Sequence, residues 1–302
     1  MSYAIETRSL RYRAGKSFEI AGLDLKVREG SIYGFLGPNG AGKTTTIQLL
    51  LGQLRPGGGT ITILGRSVPR DLPVILGETG YVPERPHLYP YLSVAEAIRY
   101  HAAFYPAFDG PYAERLRTQF DVPADRRLSR LSKGEMGKLH VLLVLAQRPR
   151  LLVLDEPTDG LDPVVRRDVL SALLDFCADG AATVFISSHL VHELERVCDW
   201  VGLLDRGRLV AELPMQAFKN GMKRVRLARA PTAPAGAPFQ VVSRSGEGAG
   251  EAWVVRGWEP EMAAWFQGGG AEVRAIEDLD LEDGFVELLR AARGAPARDG
   301  GL

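Results

Sequence analysis

An α/β fold is predicted, a mostly parallel sheet with helices on its faces, and three observations predict it. Gly37-Pro38-Asn39-Gly40-Ala41-Gly42-Lys43-Thr44 fits the pattern G-x-x-x-x-G-K-[ST]. It lies between a short apolar run, 31–36, and a segment with Ile47, Leu50, Leu51 and Leu54 at helical spacing. Further on, Leu151-Leu152-Val153-Leu154 is an apolar run that ends in Asp155 and Glu156, as a buried parallel strand does where its C-terminal edge emerges. Strand-like and helix-like segments then alternate to about residue 205, the pattern of a doubly wound sheet.

The glycine loop carries the chemistry. Glycines at 37, 40 and 42 let the backbone turn tightly, so that several N–H groups point at one anion, and the following helix adds its own unpaired donors and dipole. The loop Gly37, Pro38, Asn39, Gly40, Ala41 and Gly42, with Thr45 just beyond it, would cradle the phosphates of a nucleotide. Lys43 would reach the β- and γ-phosphates, and the Thr44 hydroxyl would hold Mg²⁺. In a chain with 34 glycines the bare pattern would be a weak signal; the strand before it and the helix after it make it a strong one. Asp155 is placed to bind Mg²⁺ directly or through water, and Glu156 to orient and deprotonate an attacking water. Alone, this acidic pair would read as a loop cluster; downstream of a phosphate loop it reads as the other half of a site. A P-loop NTPase sheet that takes ATP and Mg²⁺ is therefore expected.

In chain order, 5–12, 18–27 and 31–36 read as strands, an N-terminal antiparallel β lobe leading into the loop, and 55–80 returns to strand and turn. Residues 85–148 read as an inserted, mainly helical subdomain. Ser93-Val94-Ala95-Glu96 is a capping box opening one helix. Pro106 and Pro111 break the pattern, and a second amphipathic helix runs to Phe120. A third begins at Ser132, with Met136, Leu139, Leu142, Leu143 and Ala146 on its buried side. After Pro214 the composition shifts. The stretch 230–238 is a Pro- and Gly-rich loop, flanked by strand candidates at 224–228, 239–243, 252–255 and 271–276 and helix candidates at 259–266 and 281–293. We divide the chain into 1–220, a small C-terminal α+β appendage over 221–293 and a disordered tail over 294–302. No residue of the appendage carries a recognisable chemistry, and a purely structural extension is one reading of it.

Three more segments complete a pattern: Leu131-Ser132-Lys133-Gly134-Glu135 before the acidic strand, Gly160-Leu161-Asp162 after it, and Ser187-Ser188-His189 at the end of the next apolar run. With these, residues 3–213 resemble the ATP-binding subunit of ATP-binding cassette (ABC) transporters. The L-S-x-G-x segment separates that family from other P-loop ATPases. Tyr-Val-Pro-Glu at 81–84, Ser-Lys-Gly in the signature and Phe104-Tyr105-Pro106 look like the branch that serves two-subunit exporters of the ABC-2 type. The resemblance implies two ATP molecules sandwiched head to tail between two ATPase chains, by default a homodimer. In it Ser132 and Gly134 meet the γ-phosphate held by the opposite chain. It implies that His189 bonds the γ-phosphate and orients the water, that Asp162 links the two sites, and that Tyr12 stacks on adenine. An ordinary strand tyrosine and a plain helix cap are the alternatives for Tyr12 and Asp162. Glu84 stands where many members have a Gln that offers a carbonyl to Mg²⁺. Lys133 replaces the first glycine of the usual signature pair, and it either attracts the γ-phosphate or points into solvent.

Composition sets limits on function. In 302 residues the 37 Lys and Arg balance the 37 Asp and Glu, so there is no global basic field for nucleic acid or for a membrane surface. No run of apolar residues is long enough to span a bilayer, and the first residues lack the plan of a signal peptide. The expectation is a cytoplasmic protein, peripheral on the inner face of the cell membrane through a separate transmembrane permease. The competing class, a soluble ABC ATPase acting on ribosomes or DNA, generally has two cassettes in one chain or a coiled-coil insertion. Neither is present here. An inactive regulatory relative is disfavoured by the retention of Lys43, Asp155, Glu156 and His189.

Overall fold

The computed structural model describes residues 2–15, 18–180, 182–231, 236–247 and 250–294. Part of the 230–238 loop (232–235) and the tail beyond 294 lie outside the described residues.

The chain begins with two long antiparallel strands, β1 (Tyr3–Ala14) and β2 (Phe18–Arg28), paired so that Tyr12 faces Ile20. β3 (Ile32–Leu36) is almost wholly buried and leads through the glycine loop into α1 (Lys43–Leu50). β4 (Gly58–Ile63) and β5 (Arg66–Val68) return to the first pair and complete an antiparallel sheet ordered β2-β1-β4-β5. A short helix, α2 (Leu72–Gly77), stands where only strand and turn were expected. Six residues give no helical period to read, and Pro73 and Gly77 argue locally against a helix. β6 (Thr79–Val82) follows.

The helical block then runs through α3 (Val94–Ala102), α4 (Gly110–Gln119), a 3₁₀ turn at Leu128–Arg130 and α5 (Lys133–Ala146). Each helix starts where a side chain satisfies its first free N–H groups. Ser93 and Glu96 exchange hydrogen bonds in a capping box, and the Asp109 carboxylate accepts from Tyr112 N at 2.9 Å. α4 stops at Gln119 with Phe120 as its cap. Ser132 and Glu135 form a second capping box, so Ser132 is the cap of α5 rather than its first residue. From Leu139 to Ala146, α5 is buried on every side, which is why its apolar stripe widens to include Val141, Val144 and Leu145.

β7 (Leu151–Asp155), α6 (Pro163–Gly180), β8 (Thr183–Ser188), α7 (Val191–Leu194), β9 (Trp200–Asp205) and β10 (Arg208–Pro214) complete the second sheet, ordered β10-β9-β3-β8-β7-β6. β3, β8, β7 and β6 are parallel neighbours, and Asp155 stands in register with Ser187. Every residue of β7 and β8 is buried, as a strand covered on both faces requires. The order places the ends of β3, β7 and β8 side by side.

α8 (Met215–Gly221) begins directly after Pro214, where only a change of composition was expected. β11 (Met222–Arg229), β12 (Gln240–Glu247), β13 (Gly250–Arg256), a 3₁₀ turn at Pro260–Met262, α9 (Ala263–Gly268), β14 (Glu272–Asp278) and α10 (Leu281–Gly294) follow. The last four strands form an antiparallel sheet ordered β12-β13-β11-β14. Val225, Leu227, Phe239, Trp253, Val255, Trp258 and Phe266 make its core.

The packing separates into two compact units. The first runs up to His189 and includes Leu204–Leu209; the second is Leu190–Leu203 with the chain from Val210 onward. Within the second unit α8 belongs with the late sheet: a Cβ at Gly284 of α10 would lie 3.5 Å from both Phe218 and Met222. Among the described residues no helix is long and apolar enough to cross a membrane.

Candidate nucleotide site

The glycine loop closes against the ends of the neighbouring strands. Gly37 N donates to Ser188 O at 3.3 Å, and Ala41 O accepts from Gly207 N at 2.8 Å. Gly42 has φ 110° and caps α1, and a Cβ there would strike the ring of Phe18. Both facts require glycine at this position.

Lys43 is 6% exposed and bends back into its own loop. Its ammonium donates to Gly37 O at 2.7 Å and Pro38 O at 3.4 Å. It also stands 3.0 Å from Glu156 Oε1, an oxygen held by charge and without a well-directed hydrogen bond. The second Glu156 oxygen lies 2.9 Å from His189 Nδ1 and accepts from His189 N at 3.3 Å. Glu156 has φ 48°, a left-handed conformation unusual for a residue with a long side chain. Ser187 fastens the acidic pair: its hydroxyl donates to Asp155 Oδ1 at 2.7 Å and accepts from Glu156 N at 3.0 Å.

Asp155 is 1% exposed. Burial, with the charges of Glu156 and Glu84 adding to it, pushes its carboxyl above the usual range against hydrogen bonds from Ser187 and Thr44. Its Oδ2 is buried without a hydrogen-bond partner. A buried, unsatisfied carboxylate oxygen beside a threonine hydroxyl is a donor set that suits a hard divalent cation. Tyr81 feels the Glu84 charge as well: burial first, then Asp155 and Glu84, push its hydroxyl up to about 12.

A cleft of about 640 Å³, within the range of small-molecule sites, opens over the loop. Asn39, Gly40, Gly42, Lys43, Thr44, Thr45, Glu84, Glu156 and His189 line it together, so most of the residues singled out by sequence meet in one place. Gly37, Pro38, Ala41 and Asp155 are not among its lining residues. Two of its lining residues, Phe18 and Asp159, were not singled out. Phe18 offered no signal beyond an aromatic at a strand start, and Asp159 only its place three residues past Glu156. Tyr12 is half-buried in β1 and is not among the lining residues; the aromatic at the cleft is Phe18.

Ser132, Gly134 and Asp162 stand apart from this cleft. Ser132 caps α5 and Gly134 lies against Val165. The Asp162 carboxylate accepts from Val164 N and Val165 N, each at 3.0 Å, which is the geometry of a helix cap. The Lys133 side chain is 62% exposed, in keeping with a solvent-facing lysine, and its ammonium lies 3.7 Å from the Asp159 carboxylate, over Gly160.

A strand, a glycine loop and a helix N-terminus, faced by a buried Asp-Glu pair at the end of the neighbouring parallel strands, define a P-loop nucleotide-binding protein. Comparison with known proteins carries this further. The family profile described as "ABC transporter" matches residues 20–159. The chain is 35% identical over 213 residues to the Nod factor export ATP-binding protein I of Cupriavidus pinatubonensis, covering 69% of this chain and 65% of that protein. It is 33% identical over 222 residues to the bacitracin transport ATP-binding protein BcrA of Bacillus licheniformis, covering 73% of this chain and 72% of that one. A solved structure of an ATP-binding subunit of an ABC transporter superposes with a TM-score of 0.65 at 27% identity, covering 72% of this chain and 92% of that one. The chain belongs to the ABC transporter family, among its ATP-binding subunits.

Proposed function

We propose that this chain binds and hydrolyses ATP to drive export through a separate membrane permease. The observation that carries the reading is the Glu156 carboxylate, held between Lys43 and His189 at the mouth of the phosphate loop. Arriving phosphates compete with Glu156 for the Lys43 ammonium. Once Lys43 turns to the β- and γ-phosphates, Glu156 is released to accept a proton from water as the water oxygen attacks the γ-phosphorus and the bond to the ADP oxygen breaks. His189, hydrogen-bonded to Glu156, fixes the direction of that carboxylate. Thr44, Asp155 and Glu84 would hold Mg²⁺; bound there it would neutralise charge on the phosphate oxygens. Tyr12 and Phe18 are the aromatic candidates for the adenine.

Ser132 and Gly134, which do not line their own cleft, are read as ligands of the γ-phosphate held by a second copy, with Asp162 at the same junction. ATP would then close a homodimer and hydrolysis would reopen it. Residues 1–220 carry this machinery, and 221–293 are an appendage to it. Nod factor export and bacitracin transport are what the relatives' names state; for this chain export is inferred from them, and the cargo belongs to the permease. The permease would hold the chain at the cytoplasmic face of the membrane.

The test is Glu156→Gln. It should bind Mg-ATP, lose about 10²–10⁴-fold in turnover and run as a dimer in size-exclusion chromatography with Mg-ATP. Adding Ser132→Arg should return it to monomer. Hydrolysis at the wild-type rate would remove Glu156 from the base role; slow hydrolysis without dimerisation would remove the sandwich.

A further inference from the structure

The segment before the signature serine is fastened at both ends. On one side it is laddered onto the loop that opens α3: Val94 N donates to Arg126 O at 3.0 Å, Ala95 N to Ala124 O at 2.8 Å, Leu128 N to Leu92 O at 2.8 Å and Ser129 N to Pro90 O at 3.0 Å. On the other side Arg126 Nη1 donates to Glu135 Oε1 at 2.6 Å. The other oxygen of Glu135 accepts from Ser132 N at 2.9 Å, and Glu135 N donates to Ser132 Oγ at 3.2 Å. Glu135 is therefore shared. One oxygen holds the cap of α5 and the other holds Arg126. Hydrogen bonds from Ser132, its backbone N first and then its hydroxyl, and with them Arg126, keep the Glu135 carboxyl below the usual glutamate range against the effect of burial. Arg127 and Arg130 share a surface cleft with Arg126, with Asp125 as its acidic member.

We propose that Arg126 is a positioning residue for the signature serine: acting through Glu135, it sets the direction of Ser132, and it does so from a segment hydrogen-bonded to residues 90–95. The proposal rests on the reading that Ser132 meets a γ-phosphate on a second copy. Removing Arg126 leaves the cap of α5 in place but frees Glu135 to turn. The opposite γ-phosphate then meets a serine less well ordered, while the phosphate loop of the same chain is untouched. Movement of the 90–95 loop by a docked partner would reach Ser132 along the same bonds.

The test uses full-length protein carrying Glu156→Gln, in which Mg-ATP-driven dimerisation is followed by light scattering across ATP concentration. Adding Arg126→Ala should raise the ATP concentration for half-dimerisation by roughly 3- to 10-fold, the range of one half-exposed charge-assisted hydrogen bond. Fluorescent ADP bound to dilute, monomeric protein should keep its affinity, and the melting temperature should hold. Glu135→Gln keeps an oxygen for Ser132 N but loses the charge. It should shift the midpoint as Arg126→Ala does, and the double variant should shift it no further. Equal midpoints for Arg126→Ala and its parent overturn the proposal, as do shifts that simply add in the double variant. A parent that fails to dimerise with Mg-ATP overturns both this inference and the sandwich on which it rests.

Discussion

Asp155 is held in a position that costs stability when its site is empty. Its carboxyl is buried, pushed above the usual range chiefly by that burial, and has one oxygen without a partner. An unmatched buried charge of this kind serves a ligand rather than the fold. Asp155→Asn keeps an oxygen for the Ser187 hydroxyl and removes the charge. The nucleotide-free variant should melt higher, by roughly 2–4 °C for about 1 kcal/mol in a chain of this size, while Mg²⁺-dependent ATP binding is lost. Calorimetric melting and titration check the two halves separately; a lower melting temperature would mean that the carboxylate serves the fold. Asp155 and Glu156 were legible because an apolar run ending in two acids has few other uses. Phe18 and Asp159 were not, because Phe18 reaches the cleft by lying against Gly42, far along the chain, and Asp159 by the turn after β7, neither of which leaves a local pattern.

At the scale of elements, capping chemistry made the helices readable. Ser93 and Glu96 announced α3 correctly, and the Ser132–Glu135 box follows the same rule two helices later. α2 and α8 escaped because each is too short to show a period and begins beside a proline. α5 carries a feature that periodicity did not flag, the buried His140. Burial first, then the charges of His101 and His87, hold its imidazole down at about 4, and its Nδ1 has no hydrogen bond. A folded value below the unfolded one means that the unfolded chain takes up the proton first. Stability is therefore full above about 6.5 and falls as the pH drops from there toward 4. Between pH 7.5 and 5 the loss assigned to this one group is about 2 kcal/mol. His140→Leu should narrow the difference between the unfolding free energies from urea titrations at those two pH values by that amount. An unchanged difference would place the acid sensitivity elsewhere.

Over the whole molecule, the balance of charge leaves shape and apolar exposure to select a partner. Tyr89, Tyr91, Tyr100 and Phe104 are between 46% and 65% exposed. They form a ladder of ring contacts, 5.6 Å from Tyr89 to Tyr91, 5.4 Å from Tyr89 to Tyr100 and 5.2 Å from Tyr100 to Phe104. Four exposed rings in contact make a patch rather than scattered apolar residues, and a patch of this kind suits a protein partner. Cysteines placed at Tyr91 or Phe104 should crosslink to the cytoplasmic loops of the cognate permease. Crosslinks found only from residues beyond 222 would move the docking surface to the appendage. The overall class was readable in advance because its motifs are short and local. The division of packing was not: residues 190–203 pack in one unit with the chain from Val210 onward, through contacts far apart in sequence that no linker composition marks.

The ion pair between Lys43 and Glu156 has a consequence for the end of the cycle. On the proposed reading, ADP would still need the lysine once inorganic phosphate has left, and the glutamate, 3.0 Å from the ammonium, would rival it. Glu156 would then act as a competitive inhibitor built into the chain, present at a constant high local concentration. The carboxylate that takes the proton would also help to clear the site. Glu156→Gln, which cannot pair with the ammonium as an anion, should therefore bind ADP more tightly than the wild type, a difference that calorimetry with ADP alone would measure and that equal affinities would refute.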